Sequence, residues 1–218
     1  MKLLTIEDIK YFDKTVFEWN LLFGNDPENK DLIPVYVNLC LEEGSEGLTA
    51  KTLEEELDAI TDSIYTGFFL NRLTNTLDLQ NKFTLGVVWD DVEWKHLMKQ
   101  LEGKHVDYYV NDLITKVLDL SDKYNIVGAF NRVTESNFSK AISKEKVNSG
   151  EIIIADCIKE VYDTGRYTSV FAEETDTHFI IKAKFDTQEN KEYPSGKIVK
   201  GSWYSSVEDL GGLSEFIY

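Results

Sequence analysis

The apolar positions along the first two thirds of the chain recur mostly at helical spacing. Ile6, Ile9, Phe12, Val16 and Trp19 predict an amphipathic helix over Ile6–Trp19. The polar stretch from Gly24 to Asp31 reads as a loop, and Pro34 then opens a second helix where its missing N–H costs nothing. That helix, roughly residues 34–46, carries Val35, Leu39 and Cys40 on one side and is expected to end near Gly44–Gly47. Thr52 and Glu55 have the spacing of a capping box, with Thr52 as the N-cap and Glu55 at the third helical position. The helix they start carries Leu57, Ile60, Ile64 and Phe68 and is expected to run to about Leu77.

Residues 78–106 are mixed: a loop, the apolar run Phe83–Trp89, and a short helix at 91–101. Asp107–Tyr124 and Ile126–Ser139 return to helical spacing. The texture changes after Gly150. Glu151–Tyr162 reads as helix, while Thr168–Phe171 and His178–Phe185 alternate and read as a hairpin around Glu174–Thr177. Tyr193–Tyr218, rich in Gly and Ser, reads as a loop-like wrap. The predicted fold class is mainly α: a helical bundle, residues 1–218 as a single domain, with a small β-hairpin insertion.

Composition supports a folded chain: of 218 residues, 42% are hydrophobic, 12% aromatic and 28% charged. No apolar run reaches the ~20 residues of a membrane span, so no membrane partner is expected. Met1–Leu4 leads directly into Glu7 and Asp8, which does not resemble a signal peptide. Cys40 and Cys157 sit in apolar contexts without a CxxC, so they read as reduced core thiols and the compartment as cytoplasmic.

Charge changes the picture. The net charge is −16, which opposes binding to nucleic acid or anionic lipid. Residues 1–62 hold 15 acids against 5 bases, a net of −10, and the rest hold 24 against 18, a net of −6. Within the first segment, Glu43 and Glu46 are three apart, Glu55 and Asp58 three apart, and Asp58 and Asp62 four apart, so each pair shares a helix face. If the two helices pack antiparallel across a short turn at 47–51, these pairs face each other. Like charges so close repel unless a divalent cation lies among them, and an all-oxygen set suits Mg²⁺ or Mn²⁺ rather than zinc. A plainer reading stands beside this one: Glu54–Glu56 as a solvated face, and Glu55 as nothing more than the capping partner of Thr52.

Two segments carry cations. Residues 130–147 have a net charge of +2, with Asn137 and Lys140 three apart on one face and Glu135 nearby. Gly196–Gly201 holds Lys197 and Lys200, followed by Trp203 and Tyr204. Lysines on such a Gly-flanked segment can close over phosphates; taken alone, each segment is also an ordinary surface. Trp19, Phe23, Trp203 and Tyr204 are candidates for base stacking, with core packing as the alternative.

The order Glu42-Glu43-x-x-Glu46, then Glu55, Asp58 and Asp62 in EELDAITDSIY, then ESNFSK (135–140), then YPSGKIVKGSWY (193–204) resembles the MazG-like, all-α nucleoside triphosphate pyrophosphatases. The likeness is to the phosphoribosyl-ATP-pyrophosphohydrolase-like branch often encoded by bacteriophages, which would place the protein in the host cytoplasm. It implies a Mg²⁺-dependent enzyme cleaving an NTP or dNTP between the α and β phosphates. It also implies a homodimer or homotetramer. Carried over, Glu43, Glu46, Glu55 and Asp58 would be metal ligands, and Glu42 and Asp62 adjacent carboxylates, with Asp62 also an alternative ligand. Glu46 or Glu42 would be the general base. Asn137 and Lys140 would bind phosphate or metal, and Lys197, Lys200 and Tyr204 would close over the nucleotide and its phosphates. This chain departs from the family pattern in its short 47–54 segment and in insertions at about 78–106 and 141–192. The competing expectation is a non-catalytic acidic protein, either a DNA-mimic-like inhibitor or an inactive bundle scaffold.

Overall fold

The computed structural model describes residues 4–80 and 92–218. The described residues up to Thr134, together with Gly211–Tyr218, form one compact unit, and Glu135–Leu210 form a second. The run Phe83–Trp89 lies outside the described residues.

The first unit is helical. Its helices are α1 (Ile6–Leu22), α2 (Ile33–Thr49), α3 (Leu53–Thr74), α4 (Trp94–Glu102), α5 (Val106–Leu120) and α6 (Ile126–Phe138), the last of which runs on into the second unit. A 3-10 turn, Lys30–Leu32, leads into α2. Helix α3 is buried over most of its surface because it packs against α1, α2 and α5. Ile60, Ile64, Phe68, Leu70 and Leu73 are all fully buried, each worth about 1.5–3 kcal/mol relative to exposure. Aromatic rings extend this core: Phe12 and Phe130 lie 4.5 Å apart, and Tyr65 stacks on Phe130 at 5.2 Å. Trp19 packs against Phe23 at 4.8 Å and edge-on to Tyr65 at 5.7 Å, which gives both of these stacking candidates at the end of α1 and its C-cap a packing role. Buried Asp13 on α1 is held by the Arg72 guanidinium and Gln80, so its charge has a partner. The chain's end returns to this unit, where Asn125 N–H donates to the Phe216 carbonyl at 2.8 Å.

The second unit overturns the expectation of a mainly α protein with a small hairpin. Over the described residues 56% are helical and 15% strand: eight α-helices and a four-stranded antiparallel sheet, a mixed α/β fold. The strands are β1 (Ala141–Ser143), β2 (Tyr167–Glu174), β3 (His178–Asp186) and β4 (Lys191–Ile198), accompanied by α7 (Lys144–Asn148) and α8 (Ile154–Asp163). The predicted hairpin is present as β2 and β3, paired from Tyr167↔Asp186 to Glu174↔Phe179. Along its other side, β3 pairs first with β1 (Ala141↔Ile180) and then with β4 (Ala183↔Lys197). Ile142, Ile181 and Ala183 from the sheet, Val199 just beyond β4, and Cys157 and Val161 from α8 form a hydrophobic core of their own. The segment expected to be a loop-like wrap therefore begins with a strand.

Candidate functional site

Helix α2 is longer than its glycines suggest. Gly44 and Gly47 are interior positions where α4 presses on the backbone: a Cβ at Gly47 would lie 2.3 Å from the Trp94 ring, and one at Gly44 2.9 Å from Met98 Cγ. The glycines admit α4 rather than end the helix. The link to α3 is then only residues 50–52, and α2 folds back on α3.

This turn is built by the capping box. Glu55 N–H donates to Thr52 Oγ1 at 3.1 Å, and Glu55 Oε2 accepts from the N–H groups of Thr52 (3.2 Å) and Lys51 (2.6 Å). Those backbone bonds hold the exposed Glu55 carboxyl below its ordinary pKa. The plainer reading of Glu55 thus has a geometric basis, with its carboxylate engaged by the cap.

Glu43 is the electrostatic centre of the acidic set. Its side chain is half-buried, and Oε2 is buried without a hydrogen-bond partner among the described residues. Burial pushes its carboxyl up to about 8, and the carboxylates of Asp62, Glu46, Glu42 and Asp58 push in the same direction. Asp62 is the foremost of these carboxylates, and Glu55 is not among them. Glu42 and Glu46 are exposed and Asp58 and Asp62 half-buried. Beside them a cavity of about 360 Å³ is lined by Glu46, Thr49, Ala50, Lys51, Glu55 and Asp58.

Beneath Glu43 the environment turns apolar. Burial pushes the Cys40 thiol up to about 12, consistent with the reduced, unreactive core cysteine expected from sequence; Cys157 is also free and buried.

Hard oxygen donors and an orphaned buried carboxylate oxygen match the chemistry of a divalent cation site. Among the described residues, however, no group of three or more His, Cys, Asp or Glu side chains is arranged to hold a metal ion. The donor types alone fit Mg²⁺.

The five predicted phosphate-binding residues all belong to the second unit, whereas the acids belong to the first. Asn137 and Lys140 do meet: Lys140 Nζ donates to Asn137 Oδ1 at 2.6 Å. Tyr204 Oη lies 3.1 Å from Ser136 Oγ, and Lys200 Nζ sits 4.3 Å from the centre of the Tyr204 ring. Lys197 is committed elsewhere, at 3.2 Å from buried Asp186 and 2.9 Å from Glu189, contacts that raise its pKa. Lys51, overlooked in the sequence pattern, also lines the acid-lined cavity. Its position between the two acidic helices was the available signal.

Comparison of the chain with protein-family models, curated proteins and solved structures finds no match to any of them. No described helix is long and apolar enough to cross a membrane.

Proposed function

We propose that the protein is a Mg²⁺-dependent nucleoside triphosphate pyrophosphohydrolase, active on NTPs or dNTPs. The observation that carries this reading is Glu43: a carboxylate with a buried, unpartnered oxygen, set against four further carboxylates on two adjoining helices. Such a concentration of negative charge is stabilised by a bound divalent cation, and the resemblance in the order of the motifs supports the same chemistry. Glu43, Glu46, Asp58 and Asp62 would hold Mg²⁺, while Glu55 keeps the cap. Bound there, Mg²⁺ would neutralise phosphate charge on the substrate.

The chain's own groups supply the rest. Glu42 or Glu46, both exposed, accepts the proton of the attacking water. The water oxygen bonds to the α phosphorus as the bond from that phosphorus to the α–β bridging oxygen breaks. A nucleoside monophosphate and pyrophosphate result. Lys51, which lines the cavity, is a cation suited to the phosphate chain. Association into a dimer or tetramer belongs to the same proposal.

One observation favours the second reading, a non-catalytic acidic protein: no described group of three ligands is arranged around a metal position. Incubation with Mg²⁺ and each common NTP and dNTP separates the two. Monophosphate plus pyrophosphate, abolished in Glu43→Ala, is the expected result. No turnover of any nucleotide, with Mg²⁺ affinity unchanged in Glu43→Ala, supports the non-catalytic protein instead.

A further inference from the structure

Within the second unit a cavity of about 260 Å³ lies between the end of α6, the β1–α7 segment and residues 203–210. Its indole wall is fixed in place. Trp203 Nε1 donates to the Lys140 carbonyl at 3.3 Å, Ser205 N–H donates to Ser139 Oγ at 3.0 Å, and Ser139 Oγ donates to the Ser136 carbonyl at 2.7 Å. Gly201 completes the support: a Cβ there would stand 2.2 Å from the Trp203 ring, so only glycine lets the indole lie against the backbone. The wall is preformed, as ligand pockets usually are, and the volume is below that of sites for drug-sized molecules.

Besides Ser139, Ser143 and Ser205, the lining combines three chemistries. Ile152 and Leu210 are aliphatic, Trp203 is aromatic, and Glu135 and Lys146 are charged. Lys146 pairs with Glu151 at 3.4 Å. The Glu135 side chain has no ion-pair or hydrogen-bond partner among the described residues, which leaves its negative charge uncompensated at the cavity. A carboxylate without a protein partner favours a cation over an anion, and a neutral apolar molecule gains nothing from it. A cation on a hydrocarbon stem meets every surface: charge-assisted hydrogen bonds to Glu135, attraction to the indole, and apolar contact with the aliphatic side chains.

We propose that this cavity binds a small organic cation, an ammonium or guanidinium on a short hydrocarbon stem. The proposal is independent of the hydrolase reading and uses none of its acids. It is tested by calorimetric titration of the full chain with butylammonium, butylguanidinium and uncharged butanol, with Mg²⁺ present to occupy the acids of α2 and α3. Saturable binding of at least one cation and none of butanol is expected, weakened at least tenfold in Glu135→Gln and severalfold in Trp203→Phe. Glu135 is exposed, so Glu135→Gln should melt at the wild-type temperature. Absence of saturable binding by both cations overturns the proposal, as does binding that survives Glu135→Gln or is matched by butanol.

Discussion

Asp186 ends β3 with no solvent exposure, and its carboxylate is saturated by partners. The Arg166 guanidinium donates to Oδ2 at 3.0 and 2.8 Å, Lys197 Nζ at 3.2 Å, and the N–H groups of Gln188 and Glu189 reach Oδ1. Arg166 is the largest cause, and together these groups hold the Asp186 carboxyl far below its ordinary pKa. A carboxyl depressed in the folded state binds fewer protons there than in the unfolded chain. Its stabilisation is present above an ordinary Asp pKa of about 3.9 and is lost as pH falls through the folded value. D186N should therefore be less stable than wild type at pH 7, and the gap should narrow toward pH 2 in denaturant titrations; a gap independent of pH contradicts the assignment. None of this is legible in the linear sequence. Lys197 on a Gly-flanked segment looks like a free cation until strand pairing brings it to Asp186, eleven residues away.

Among the elements, the one best read from sequence is the start of α3, because a capping box is local: Glu55 follows Thr52 by three positions, and no tertiary partner is needed. T52A should cost about 1 kcal/mol, the usual value of an N-cap. E55Q separates cap from metal: glutamine also serves in a capping box, so stability should hold, and Mg²⁺ affinity should hold too if Glu55 is only a cap. A large loss of Mg²⁺ affinity in E55Q would return it to the ligand set. Elements defined by distant partners were harder to read. β4 contains Pro194 and Gly196, which read as loop, yet the register between Ala183↔Lys197 and Phe185↔Glu192 sets residues 193–196 in a bulge opposite Lys184. Proline's missing N–H is tolerated in such a bulge. The end of α2 is set in a similar way, since Gly47 answers to Trp94 on another helix. In G47A, overpacking at 2.3 Å should cost about 1–3 kcal/mol. That outweighs the helix-propensity gain of up to about 1 kcal/mol. A lower denaturation midpoint with unchanged slope would show it; a more stable G47A would mean that Trp94 yields freely.

At the scale of the molecule, the −16 charge is divided unevenly. The unit of residues 1–134 and 211–218 holds 25 acids and 13 bases, a net of −12, against 14 and 10, a net of −4, in residues 135–210. The sequence revealed this concentration, but not that Glu43 would be its half-buried focus, since that depends on how α2 folds back on α3. Two effects of added salt can now be told apart. Any salt screens the self-repulsion of an acidic chain and stabilises it, so NaCl should raise the melting temperature gradually. Mg²⁺ at the same ionic strength screens in the same way and, if it occupies the Glu43 set, adds a binding term. At a concentration a hundred times the dissociation constant, that term is about 2.7 kcal/mol. For a chain of this size it corresponds to a rise of roughly 5–11 °C beyond the NaCl-matched control. Replacing Glu43 by Gln should remove the Mg²⁺-specific rise and leave the NaCl response intact, because one charge in −16 barely alters the general field. Equal melting curves in matched Mg²⁺ and NaCl would show that the acids are a solvated face. A Mg²⁺-specific rise that persists in E43Q would move the cation away from α2 and α3.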